Sequence, residues 1–180
     1  MNRAALGWDM LQVCLALVVL LAASGAHATS YRALDLPQLA ARADVAFFGT
    51  VRKVGVVEQG GQPWTRVTFR VDEALLGEPG DDIELLFYGG SLPTGESLSV
   101  VGMPQFQAGE QVLILAYDTP YYSPVVGFSQ GLWRLTERGL EDDRGRVLSL
   151  DEEGKLLRSG GGGGTQEVLA AMKALLEARQ

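Results

Sequence analysis

The stretch Ala43-Asp44-Val45-Ala46-Phe47-Phe48-Gly49-Thr50-Val51 is an apolar run with a polar residue before it and one glycine inside it. Its apolar side chains fall on both parities, Val45, Phe47 and Val51 on one and Ala46 and Phe48 on the other, so a strand here must be covered on both faces. That places it in a core. Gly49 marks a bulge or tight bend of the kind that lets a sheet curl round on itself. The run therefore reads as the first strand of a small closed sheet.

Upstream, Leu34 to Ala43 reads as a short helix, with Asp35 or Leu36 at the cap and Pro37 in the first turn, where its missing N–H costs nothing. Leu36, Leu39 and Ala43 recur at helical spacing, and a helix of two turns needs docking to persist. Downstream, the first strand extends toward Val54–Val57 and turns at Gln59-Gly60-Gly61-Gln62-Pro63. The next run alternates cleanly: Thr65, Val67, Phe69 and Val71 point one way, and Arg66, Thr68, Arg70 and Asp72 the other. Gly77 to Asp81 turns the chain again, and Ile83 to Tyr88 is a third strand, completing an antiparallel meander.

From Gly89 to Ala108 the chain is rich in Gly, Pro and Ser, with Ser97 to Val101 as a short strand between loops. Glu110 to Tyr117 is apolar on both faces and predicts another central strand. Tyr117 to Pro124 is too proline-rich to pair regularly, and Gly127 and Gly131 mark bends between Val125 and Leu135. Two or three short peripheral strands fill residues 132–157, with hairpin signals at Arg138-Gly139 and Asp143-Arg144-Gly145. Gly160 to Gly164 is an unbroken glycine run that reads as a flexible tether. After it, Thr165 caps a helix with Glu167 in its first turn, and Val168, Leu169, Met172, Leu175 and Leu176 form one apolar stripe. A doubly apolar strand needs a cover on its outer face, and this helix is the candidate; insertion into a groove of another chain is the alternative.

Residues 1–28 have the form of an export leader: Arg3 at the start, a short apolar core from Leu11 to Ala23, and Ala26-His27-Ala28 as a small-x-small cleavage site. The core is well short of the ~20 residues that span a bilayer. Cys14 and His27 are the only cysteine and histidine in the sequence, so a mature chain beginning near Thr29 has neither. It forms no disulfide, and zinc, copper and haem sites of the His/Cys kind are excluded with Ser-His-Asp and Cys-His catalysis. The ~150 residues that remain suffice for one domain with a hydrophobic core. The net charge of -7 repels phosphate backbones and makes nucleic acid a poor partner.

The order "helix, Arg-Ala-Asp-Val-x-Phe-x-Gly-x-Val, then Thr-Arg-Val-x-Phe-x-Val-x-Glu-x-Leu-x-Gly, then Gly-Glu-x-x-Leu-x-Leu" is carried here by Ala43 to Val51, Thr65 to Gly77 and Gly109 to Ala116. It resembles the netrin-like module, the OB-type barrel of tissue inhibitors of metalloproteinases and of various secreted bacterial proteins. Gly102-Met103-Pro104-x-Phe106 and Val126-Gly127-x-x-Gln130-Gly131 are similar to pieces of uncharacterised exported bacterial proteins. The resemblance implies a five-stranded barrel with helices packed on it and a role in binding proteins. The metalloproteinase inhibitors chelate zinc through an N-terminal cysteine, which this chain lacks, so no inhibitory residue carries over.

Four acids at or near strand ends, Asp44, Asp72, Glu73 and Glu110, are the material for carboxylate catalysis, which needs two carboxyl groups at a defined separation; helix-capping and solvated strand ends are the alternative. Lys53, Lys155 and Lys173 show no Ser-x-x-Lys spacing. The clusters Glu141-Asp142-Asp143 and Asp151-Glu152-Glu153 lack the calcium-loop pattern and read as solvated hairpin tips. The aromatic loop Tyr117, Tyr121, Tyr122 and Phe128, with Trp64 on the wet parity of its strand, is the candidate binding site, since tyrosine and tryptophan supply rigid amphipathic contact area; rings that lid the barrel end are the competing reading.

The sequence therefore predicts a mainly β protein: a closed or partly open antiparallel OB-like barrel of five or more strands, with a short N-terminal helix and a C-terminal amphipathic helix. Its parts are a leader (1–28), the barrel (29–159), the glycine tether (160–164) and the helix (165–180). The expected role is non-enzymatic binding of a protein or peptide outside the cytoplasm, with no cofactor, no metal, no nucleic acid and no transmembrane segment after cleavage. A carboxylate-dependent hydrolase of envelope polysaccharide, and a structural accessory that docks through its terminal helix, are the alternatives.

Overall fold

Strand β1 (Val45–Gln59) runs far past the opening stretch and pairs antiparallel with β2 (Gln62–Leu76) along its whole length. The hairpin turns at Gly60 and Gly61, both at positive φ (60° and 72°), the backbone a two-residue turn between twisted strands requires. The register slips at Ala46/Phe47, Phe48/Gly49 and Val51/Lys53. At Gly49 a Cβ would collide with the carbonyl of Arg70, so the glycine is where two backbones approach too closely for a side chain, and bulges of this kind bend a sheet. The computed structural model from which these features come describes residues 32–119 and 121–179. The expected leader, residues 1–28, lies outside them.

The remaining strands are β3 (Asp82–Tyr88), β4 (Gly90–Ser91), β5 (Ser97–Leu98), β6 (Gln111–Ala116), β7 (Leu132–Thr136), β8 (Gly139–Glu141), β9 (Leu148–Leu150) and β10 (Leu156–Arg158). Six of them form one antiparallel sheet in the order β3-β2-β1-β6-β7-β8, and β4–β5 and β9–β10 make two small ribbons. Among the described residues there are two helices, α1 (Leu36–Ala40) and α2 (Thr165–Glu177). Among the described residues no strand ladder joins β3 to β8. Beyond the ladders, Ala116 bridges to Val125, Tyr117 N–H donates to the Pro124 carbonyl at 2.8 Å, and Tyr88 N–H donates to the Tyr122 carbonyl at 2.8 Å.

The sheet separates two apolar cores. On one face Phe47, Val51, Val67, Phe69, Leu85, Phe87 and Ile114 pack with Met103 and Phe106 from the loop after β5. On the other, Ala46, Phe48, Leu113 and Leu115 pack beneath α1, α2 and Trp133. Strands β1 and β6 are thus buried twice, as their two-parity apolar pattern requires: Phe47 is 0% exposed and its neighbour Phe48 7%. Val168, Leu169, Met172 and Leu176 of α2 all lie in the second core, so the helix covers its own sheet.

Local chemistry sets the helix ends. Asp35 caps α1, its Oδ1 accepting from Gln38 N–H at 2.7 Å while Gln38 Oε1 accepts from Asp35 N–H at 3.2 Å, a reciprocal capping box. At α2 the cap is Gly164 rather than Thr165, and Glu167 Oε2 accepts the Gly164 N–H at 2.9 Å. The glycine run read as a tether lies along β9. Gly162 and Leu150 exchange both backbone hydrogen bonds (3.0 and 2.8 Å), and a Cβ on Gly161 would strike the Leu150 carbonyl. Backbone contact this close is possible only without side chains.

Candidate functional site

Trp64 stands near the start of β2, opposite Val57. The carbonyl of its neighbour Pro63 accepts the Gly89 N–H at 2.9 Å, which draws the end of β3 beside it. Gly89 has φ 103°, and a Cβ there would meet the Leu98 carbonyl at 2.7 Å. Tyr88, the last residue of β3, therefore lies against Trp64, with ring centroids 5.0 Å apart at 63°. The backbone bond from Tyr88 to Tyr122 brings in a third ring: Tyr122 is 4.8 Å from Tyr88 and 6.3 Å from Trp64, and nearly parallel to the latter at 14°. Tyr121 turns the other way and packs on Tyr117 at 4.7 Å. The Tyr88 hydroxyl donates to Gln62 Oε1 at 3.3 Å.

The structure thus gathers Trp64 and Tyr122 around Tyr88 and joins Tyr117 to Tyr121. Among the described residues, Tyr121 and Tyr122 are two of the few large apolar side chains left exposed, at 55% and 66%. Phe128 goes elsewhere. Its φ is +73°, its carbonyl accepts the Ser123 hydroxyl at 2.6 Å, and its ring packs on the first core beside Gly102. Pro120 lies outside the described residues. Tyr88 is the residue that sequence reasoning missed: it reads as an ordinary strand end, and only the Gly89-Gly90 pair after it signals a close backbone approach.

The four candidate acids are dispersed. Asp44 Oδ2 accepts from Asp118 N–H at 3.2 Å, Glu110 sits 3.8 Å from Arg134 Nε, and Glu73 lies opposite Phe48. Asp72 accepts from the Thr50 hydroxyl and Arg70 Nε, both at 2.7 Å. Partial burial pushes the Asp72 carboxyl up, but the Thr50 and Arg70 hydrogen bonds and the charges of Arg70 and Arg52 outweigh it and hold the group below the ordinary aspartate range.

The acidic hairpins share one construction. Asp142 Oδ1 accepts the N–H groups of Arg144 and Arg146, both at 2.9 Å, and Asp151 Oδ1 accepts those of Glu153 and Lys155 at 3.1 and 2.7 Å. Each turn reads Asp-x-x-Gly-basic, and its first carboxylate is occupied by its own backbone. Among the described residues no group of three or more His, Cys, Asp or Glu side chains is placed to hold a metal ion. Two clefts, about 560 and 370 Å³, flank the glycine run and share no lining residue with the aromatic rings. No described helix is long and apolar enough to cross a membrane.

No family model matches the chain, and no curated protein matches it. The functional reading rests on the site itself.

Proposed function

We propose that the chain is an exported, non-enzymatic binding module that holds a protein or peptide partner at its aromatic end. The observation that carries this reading is the pairing of exposure with order: Tyr121 and Tyr122 present most of their surface to solvent while each ring is already packed on another. Preorganised tyrosines lose little conformational freedom on binding, which is why such rings concentrate at recognition surfaces. Carboxylate hydrolysis has less support, because a general acid needs a raised pKa and the perturbed carboxylates Asp72, Glu141 and Asp142 all shift downward.

The same proposal takes the curled sheet as a partly open OB-like barrel of the netrin-like kind. Its support is the pair of bonds that lay residues 122–125 between β6 and β3, Tyr117 to Pro124 on one side and Tyr88 to Tyr122 on the other. The aromatic cluster then sits at the seam.

The test is capture from the native envelope with the mature chain as bait, repeated with Tyr121→Ala and Tyr122→Ala together. Removing two hot-spot rings costs on the order of 2 kcal/mol or more, so the captured partner should fall at least tenfold. Undiminished capture by the double variant overturns the aromatic-end reading.

A further inference from the structure

The hydrogen-bond phase along β3 is set by Val71, whose N–H donates to the Asp81 carbonyl at 2.8 Å. In the antiparallel register that pairs Thr65 with Phe87 and Arg70 with Asp82, residues of the parity of Asp81 turn their backbone groups toward β2. These are Ile83, Leu85 and Phe87. Asp82, Glu84, Leu86 and Tyr88 turn theirs to the other side. That side is an edge of the six-stranded sheet. The outward N–H of Tyr88 is taken by the Tyr122 carbonyl, whereas those of Glu84 and Leu86 bond to nothing among the described residues.

The side chains at this edge carry a charge pattern. Arg52 contacts Asp82 at 3.3 Å, Arg66 contacts Glu84 at 3.9 Å, and Arg70 stands opposite Asp82. Basic groups on β1 and β2 therefore face acidic groups on β3, and among the described residues no ion pair joins Asp82 or Glu84 to a cation beyond the edge. A further strand would continue the alternation if it were basic at those two positions, since opposite charges directly across a ladder stabilise it.

We propose that the open edge of β3 receives an extended, basic peptide as an added strand. Its backbone pairs with Glu84 and Leu86, its Lys or Arg side chains stand across from Asp82 and Glu84, and its end rests against Tyr88, Tyr122 and Trp64. This is recognition by strand addition, in which the main chain supplies affinity and alternate side chains supply selectivity. The inference deepens the binding reading above and rests on it. A second copy of the chain is a worse occupant: pairing β3 with itself about Glu84 sets Glu84 against Glu84, between molecules that each carry a net charge of -7.

The experiment uses the mature chain and a blocked ten-residue peptide alternating lysine and valine, with a glutamate–valine peptide as control. Backbone amide exchange is followed by NMR. With the lysine peptide at saturation, the amides of Glu84 and Leu86 should exchange at least tenfold more slowly, while those of Ile83, Leu85 and Phe87, already bonded to β2, stay unchanged. Leu86→Pro deletes an outward N–H and spares the β2 ladder, so it should weaken the peptide at least tenfold, and Leu86→Ala less than twofold. Three results overturn the proposal: no protection at Glu84 and Leu86, equal protection by the glutamate peptide, or protection already present in a free protein of dimeric mass. Loss of binding in Tyr122→Ala with full binding in Leu86→Pro removes the added strand and leaves the aromatic surface standing; the reverse pattern keeps the strand and removes the aromatic surface.

Discussion

Asp142 has a 5% exposed side chain that receives two backbone N–H groups and both Nε and Nη2 of Arg146, at 2.8 and 2.7 Å. Burial pushes its carboxyl up, but those N–H groups and the guanidinium outweigh it and hold the group below the usual range. A carboxylate whose folded pKa lies under its unfolded value, about 3.9, stabilises the fold above that value and loses the contribution as pH falls through the folded pKa. Asp142→Asn keeps an acceptor and removes the charge, so it should cost about 1–3 kcal/mol near pH 7. In thermal melts the gap from the parent should close as pH approaches about 2; a gap equal at both ends would show that the charge is irrelevant. Gly49 poses a steric counterpart. Its absent Cβ would meet backbone, which has no rotamer with which to yield, so Gly49→Ala should cost about 1–3 kcal/mol. Gly55 on the same strand has nothing within 4 Å, and Gly55→Ala should change stability by less than about 0.5 kcal/mol.

At the scale of elements, α2 decides whether the six-stranded sheet stands alone. Four of its side chains, Val168, Leu169, Met172 and Leu176, are 2% exposed or less, and burying each contributes roughly 1.5–3 kcal/mol. Their sum is comparable to the ~5–15 kcal/mol that holds a whole domain. Deleting residues 165–180 should therefore abolish cooperative unfolding, and Met172→Ala should cost about 2–5 kcal/mol by leaving a cavity. A truncated chain that melts like the parent would make α2 a handle for a partner. This helix and the strands β1, β2, β3 and β6 were legible because periodicity is written locally: a stripe at i, i+4 and i+8, strict alternation, or apolar residues on both parities. What was not legible is pairing across long separations. Gly162 against Leu150 and Tyr122 against Tyr88 depend on where the fold brings two backbones, and the residues involved look like tether and loop in sequence.

For the whole molecule, composition selected the aromatic residues and tertiary packing sorted them. Trp64 and Tyr122 pack around Tyr88, which joins them because β3 ends there, Tyr117 packs on Tyr121, and Phe128, at a left-handed backbone position, lays its half-buried ring against the first core. Composition also sets the response of the whole protein to its medium. A chain that begins at Thr29 lacks Cys14 and His27, the only cysteine and the only histidine in the sequence. Carboxylates ordinarily titrate near pH 4 and tyrosine and lysine near 10, so only the new amino terminus titrates between. With no imidazole or thiol to titrate, the proton count of folded and unfolded chains should match across that window. The melting temperature of the mature chain should therefore stay constant from about pH 6 to 9. It should fall below about pH 4, as Asp72 and Asp142, whose folded pKa values are depressed, take up protons and release the stability they supply. A thiol reductant should leave every melt unchanged. A step near pH 6.5 would mean a histidine is still attached, and so would place the cleavage before His27.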